Sequence, residues 1–152
     1  MVKLKLLRID SELERLGRWF PYPAVAGVSF LIARMGNPAY DGKLRRIMGP
    51  RLDEIRSDGL DDKTLEAMTA KAMAGTVLLG WKGLDEDEDA AGEKHADGTH
   101  SPGGPRQLEF TEERAEEILS DPDLRDLYRF VLAQSSRIEN FRRESAKGDA
   151  GN

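Results

Sequence analysis

The stretch Thr76–Leu84, TVLLGWKGL, decides how this chain is read, because it closes an apolar run and leads straight into the carboxylates Asp85 to Asp89. Upstream, Asp61 stands as a helix cap before DKTLEAMTAKAMAG, and Leu65, Met68, Ala72, Thr76 and Leu79 fall on one helical stripe. That periodicity predicts one long helix, begun at Asp61, carried through Thr76 and stopped at Gly80 or Gly83, with small alanines allowing a close neighbour. Trp81 follows the last periodic turn. A tryptophan there either closes a core or stands exposed as an interface anchor.

Working outward, the window Asp85 to Pro105 holds seven acids against the single base Lys94, together with glycines and the run SPGGP. Such a composition cannot bury enough apolar surface to order itself, so it is expected to be a disordered, solvated insert. Beyond it Leu108-Glu109-Phe110 reads as a short extended piece. Thr111 then caps a helix whose first turn carries Glu112 and Glu113, and Asp121-Pro122 opens the last helix. Leu124, Leu127, Tyr128, Val131, Ser135, Ile138 and Phe141 give that helix a stripe of about five turns.

Before the central helix, WFPYP and VSFLIAR are aromatic and β-branched and flank the glycine-containing AVAG, which predicts a β-hairpin. Pro21 and Pro23 confine its first strand to an edge. Asn37-Pro38 starts a helix with Tyr40, Leu44, Ile47 and Met48 on one side. Gly49-Pro50 breaks or kinks it, and Leu52 and Ile55 continue it toward Gly59. The fold class is therefore mainly α: a small helical domain preceded by a short N-terminal β-hairpin, with a disordered acidic insert. The expected divisions are an N-terminal arm, 1–16; the hairpin and helices of the core domain, 17–84; the acidic, glycine-rich insert, 85–106; the C-terminal helices of the same domain, 107–144; and a polar tail, 145–152.

The 152 residues suffice for one domain with a modest core. The formal charge is −5, but the acidic window contributes −6, so the rest of the chain is close to neutral. Lys43, Arg45, Arg46 and Arg51 form a local basic patch that is too small to advertise nucleic acid as a partner. The absence of cysteine removes disulfides, thiolate metal sites and a cysteine nucleophile, and suits a reducing cytosol. No apolar run approaches the ~20 residues of a membrane span, and no membrane partner is expected. His95 and His100 are the only histidines, and both fall in the insert, where nothing fixes ligand spacing, so neither metal nor cofactor is expected. With no phosphate-binding glycine loop, no GxSxG and no histidine in an ordered element, the chain reads as a non-enzyme without catalytic residues. The pairs Asp61/Asp62 and Glu112/Glu113 sit where helix N-termini favour negative charge. Met35, Met48, Met68 and Met73 mark either ordinary core packing or an adaptable groove.

The order of these signals resembles the tail assembly chaperones of long-tailed, siphovirus-type bacteriophages. The residues that carry the resemblance are GNPAYDGKLRRIMGP, then TVLLGWKGLDEDE, then a polar insert, then LEFTEERAEEILSDPDLRDLYRFVLAQSSRIENFRRE, with Asn140-Phe141 near the end. It covers Gly17 to Glu144. The resemblance implies a helical, non-enzymatic morphogenesis protein, absent from the mature virion and working in the cytoplasm of the infected or lysogenic host. Its implied partners are the tape measure protein, which it would keep soluble, and the tail tube protein, which it would recruit, with self-association left open. The tail from Ser145 to Asn152 would be the form without the frameshifted extension that binds the tube in many of these phages. Trp81, Leu84, Tyr128 and Phe141 are then expected as core or partner-facing anchors. Arg45 and Arg46, with Arg51, either meet acidic patches on a neighbouring copy or form a solvated face. A reading from another class is a small phage-encoded protein-binding module, such as a connector or an inhibitor of a host factor.

Overall fold

The chain is seen as a computed structural model that describes residues 1–57, 59–85 and 106–142. Of the expected disordered insert, 85–106, all but Asp85 and Arg106 lies outside the described residues, as does the whole of the expected polar tail, 145–152. Of the described residues 58% are helical, and the strands form one small antiparallel sheet, so the mainly α class holds.

The predicted hairpin is present. Strand β1, Arg18–Pro21, pairs antiparallel with β2, Ser29–Ile32, in the register Trp19 to Leu31 and Phe20 to Phe30. The Tyr22 amide donates to the Val28 carbonyl at 2.8 Å, so the alternation of bonded pairs turns Pro21, which has no N–H, toward the open edge.

The stretch TVLLGWKGL does not continue a helix. Leu78–Lys82 is strand β3, paired antiparallel with β2 so that Phe30 faces Trp81 and Leu31 faces Gly80, with an irregularity that leaves Leu79 unpaired. The sheet order is β1-β2-β3. The single long helix expected from Asp61 through Thr76 is corrected to a shorter one that ends before Gly75. Ala74 already has extended backbone and Gly75 takes φ +79°, a left-handed conformation that glycine adopts at no steric cost. A Cβ on Gly75 would also stand 3.2 Å from Glu112 Cγ. Helical spacing carried across this glycine placed Thr76 and Leu79 on a helix; Leu65, counted on the buried stripe, is 41% exposed. Gly83 closes the far end with φ +77°, where a Cβ would fall 2.0 Å from the Gly27 carbonyl oxygen.

Among the described residues there are six α-helices. They are α1, Ser11–Leu16; α2, Pro38–Met48; α3, Leu52–Ser57; α4, Asp62–Met73; α5, Glu112–Ser120; and α6, Arg125–Ser136. The caps are those the sequence indicated: the Asn37 side chain accepts from the Tyr40 amide, Asp61 from Thr64 and Thr111 from Arg114. Gly49–Arg51 forms a single 3₁₀ turn between α2 and α3. The last stripe is shorter than predicted. α6 stops at Ser136, Ile138–Phe141 is a 3₁₀ turn, and Leu124 and Ile138 are exposed while Phe141 is fully buried. The N-terminal arm carries α1, capped by Asp10, and is tied to the far end of the chain by a bridge from Ile9 to Arg142 and a bond from the Asp10 amide to the Phe141 carbonyl.

α4 packs between α2 and α5, α6 follows α5, and α6 meets β2. The core lies between the sheet and these helices. There Tyr22 meets Phe30 and Phe130 edge to face, with centroids 5.7 and 5.1 Å away, and the two phenylalanine rings lie tilted 6.4 Å apart.

Candidate functional site

Four of the six residues singled out from sequence belong to the core or its margin. Trp81 is 6% exposed, packs edge-on against Phe110 with centroids 4.8 Å apart, and donates its indole N–H to the Leu108 carbonyl at 2.7 Å. The tryptophan thereby pins the returning chain at 106–110 onto β3, helped by the bond from the Leu108 amide to Leu84 and the bridge from Asp85 to Gln107. Leu84 is half-buried against the same cluster, and Phe141 is fully buried. Tyr128 is largely buried, with its edge in a small cleft between α4 and the α5–α6 corner. Burial, and then the nearby Glu66 carboxylate and Tyr40, push its hydroxyl above the ordinary phenol range.

Arg45 and Arg46 are both exposed, but only Arg46 turns toward α4. There a groove of about 780 Å³ runs along the surface between the two helices. Its first wall is the stripe Lys43, Arg46, Ile47, Pro50 and Arg51, the i, i+3, i+4, i+7, i+8 spacing of one helix face carried through the 3₁₀ turn. Its second wall is the ridge Lys63, Ala67 and Lys71, one turn apart each, with Thr64 and Met68 on the row beneath. Glu116 of α5 stands at the rim. Arg45, one position off the first stripe, does not line it.

Not all the charges in the groove are free. Lys43, with only 13% of its side chain exposed, donates to the Ala74 carbonyl at 2.6 Å and pairs with Glu112, which ties α2 to the ends of α4 and α5. Arg51 makes a two-pronged bond to Glu54 at 2.9 and 3.1 Å, and its other nitrogen rests 3.9 Å from the Met68 sulfur. Hydrogen bonding from the Thr64 hydroxyl and amide holds the Asp61 carboxyl below its ordinary value, which fixes that negative charge at the N-terminus of α4. Among the described residues Arg46, Lys63 and Lys71 make no ion pair at bonding distance, although the charge of Lys63 also favours the ionised Asp61. The site is thus an open trough with a floor of Ile47 and Met68, the small Ala67 on its α4 ridge, and edges on which Arg46, Lys63 and Lys71 outnumber the carboxylates Asp61 and Glu116.

Sequence reading found Lys43, Arg46 and Arg51 as a basic cluster and missed Lys63, Ala67 and Lys71. The lysine-alanine-lysine ridge at i, i+4, i+8 was the available signal. Met68, one of the four methionines weighed as core or groove, is both: it is 6% exposed and forms floor.

Among the described residues no group of three acidic or histidine side chains could hold a metal, and no helix is long and apolar enough to cross a membrane. Both histidines lie outside those residues. No curated protein and no solved structure matches the chain. The profile of the YdaY prophage protein family matches residues 35–152, a span that takes in both walls of the groove and β3 and leaves out the N-terminal arm and the hairpin. With that match over most of its length, the chain belongs to the YdaY prophage protein family.

Proposed function

We propose that this phage-derived chain is a tail assembly chaperone. It binds the tape measure protein of its phage, keeps that protein's helical apolar segments soluble, and brings tail tube protein to it in the host cytoplasm. The reading takes no catalytic step, metal or cofactor; it works by covering apolar surface. The observation that carries it is the open α2–α4 trough, whose apolar floor between two helices offers a partner helix the third position of a packed layer. The origin of the family in prophages and the order of motifs from Gly36 to Phe141 support the same assignment.

The test is co-expression of the full chain with the tape measure protein of the same prophage. The chaperone reading expects the soluble fraction of the tape measure protein to rise and the two proteins to co-purify. A tape measure protein that stays insoluble and leaves no co-purifying chain contradicts it.

A further inference from the structure

We infer that the α2–α4 groove reads charge as well as shape, and that its occupant is an acidic amphipathic helix of the partner protein. This inference rests on the protein-binding reading above and names the chemistry of what is bound.

Three observations carry it. The first is a surplus of positive charge: Arg46 on one wall and Lys63 and Lys71 on the other make no ion pair among the described residues and outnumber the two unpaired carboxylates of the groove, Asp61, whose charge Lys63 favours, and Glu116, whereas Lys43 and Arg51 are already paired. The surplus cations on facing walls repel one another, and an anionic occupant relieves the part of that repulsion that Asp61 and Glu116 leave. The second is the floor. Ile47 and Met68 are apolar, and Ala67 between the two lysines is small enough for a backbone to approach closely. A phosphate chain gains nothing from such a floor, while a helix with an apolar stripe does.

The third is spacing. Lys63 and Lys71 lie eight residues apart on one ridge of α4, about 12 Å along its axis. A helix laid alongside presents matching carboxylates seven or eight residues apart, with an apolar residue midway, over Ala67. α2 and α4 are 11 and 12 residues long, so the seat takes about three turns of the occupant.

The probes are two labelled helical peptides of about 18 residues, roughly five turns. Both carry the same leucine stripe; one is flanked by glutamates at the matching spacing and its twin by lysines. An oligodeoxythymidine serves as a third probe, and each is titrated into the full chain by fluorescence anisotropy. The glutamate peptide is expected to bind at least about tenfold tighter than its twin, and to weaken as salt rises. The double substitution Lys63→Glu/Lys71→Glu should reverse the preference, and Lys63→Gln/Lys71→Gln should abolish it, with unchanged circular dichroism in both.

Equal binding of the two peptides, binding of neither, a preference that survives charge reversal, or tighter binding of the oligonucleotide would each overturn the inference. The tape measure co-expression is a separate experiment. A chain that solubilises the tape measure protein yet ignores peptide charge keeps its proposed function and loses only this inference.

Discussion

The inner face of the sheet and the α2–α4 groove both join apolar side chains to polar groups, but they treat the polar groups in opposite ways. In the core beside that face, Trp81 Nε1 meets the Leu108 carbonyl, and buried Asn37 at the start of α2 gives its amide to the Arg34 and Thr76 carbonyls, both at 2.8 Å. In the groove, Arg46, Lys63 and Lys71 are exposed beside an apolar floor and make no ion pair among the described residues. Satisfied polar groups lock one structure, because an unpaired buried group is costly. Exposed cations contribute little to stability, so their arrangement is free to serve a partner.

The comparison breaks most visibly at the two tryptophans, which lie on opposite faces of one sheet. Trp81→Ala should remove about 4 kcal/mol by leaving a cavity between β3 and Phe110. Trp19 is 41% exposed on the outer face, where its ring reaches toward Gly80 and lies 3.9 Å beneath the Lys82 ammonium. Trp19→Ala should therefore cost only about 1 kcal/mol. Urea unfolding of both variants measures the difference, and equal losses would show that the outer face is packed as tightly as the inner one.

Asn37→Ala is next, at about 3 kcal/mol, since it removes the α2 cap and strands two carbonyls that join the Arg34 turn to the segment after α4. A loss below about 1 kcal/mol in the same assay would mean that the Asn37 bonds do not hold the layers together.

How much of this was legible follows from whether a signal was local. Asn37-Pro38, Thr111 and Asp61 announce helix starts within four residues, and each caps as expected. The hairpin was equally local, in two aromatic runs and an edge proline. β3 was missed because alanine-rich spacing runs on past Gly75, and only pairing with β2, nearly fifty residues back, turns Leu78–Lys82 into a strand. The groove was half-legible for the same reason. One wall is a basic cluster in sequence, but the other becomes a wall only when α4 packs on α2, which no local pattern records.

pH sharpens the contrast on the side of the core. Burial, then Asp41 for Tyr40 and Glu66 for Tyr128, raises both hydroxyls above the ordinary phenol value. A raised folded-state value means that this part of the stability is complete below about pH 10, the unfolded phenol value, and is lost as pH climbs through the folded values. Stability should fall above about pH 10, and a Tyr40→Phe/Tyr128→Phe variant should fall less steeply; parallel curves in alkaline urea titrations would remove these tyrosines from the account.

The smallest expected change in stability is in the groove. Lys63→Glu/Lys71→Glu should shift stability by less than about 0.5 kcal/mol, because both lysines are exposed and neither makes an ion pair among the described residues. A larger loss would mean that the ridge is structural and would dissolve the distinction between the two regions.

The most direct measurement is a map of amide chemical shifts over the full chain as the glutamate-flanked peptide is added. The account predicts that the shifts concentrate along 43–51 and 61–71, the two walls of the groove. Shifts gathered instead around Trp19, Leu31 and Lys82, with the walls unmoved, would contradict it.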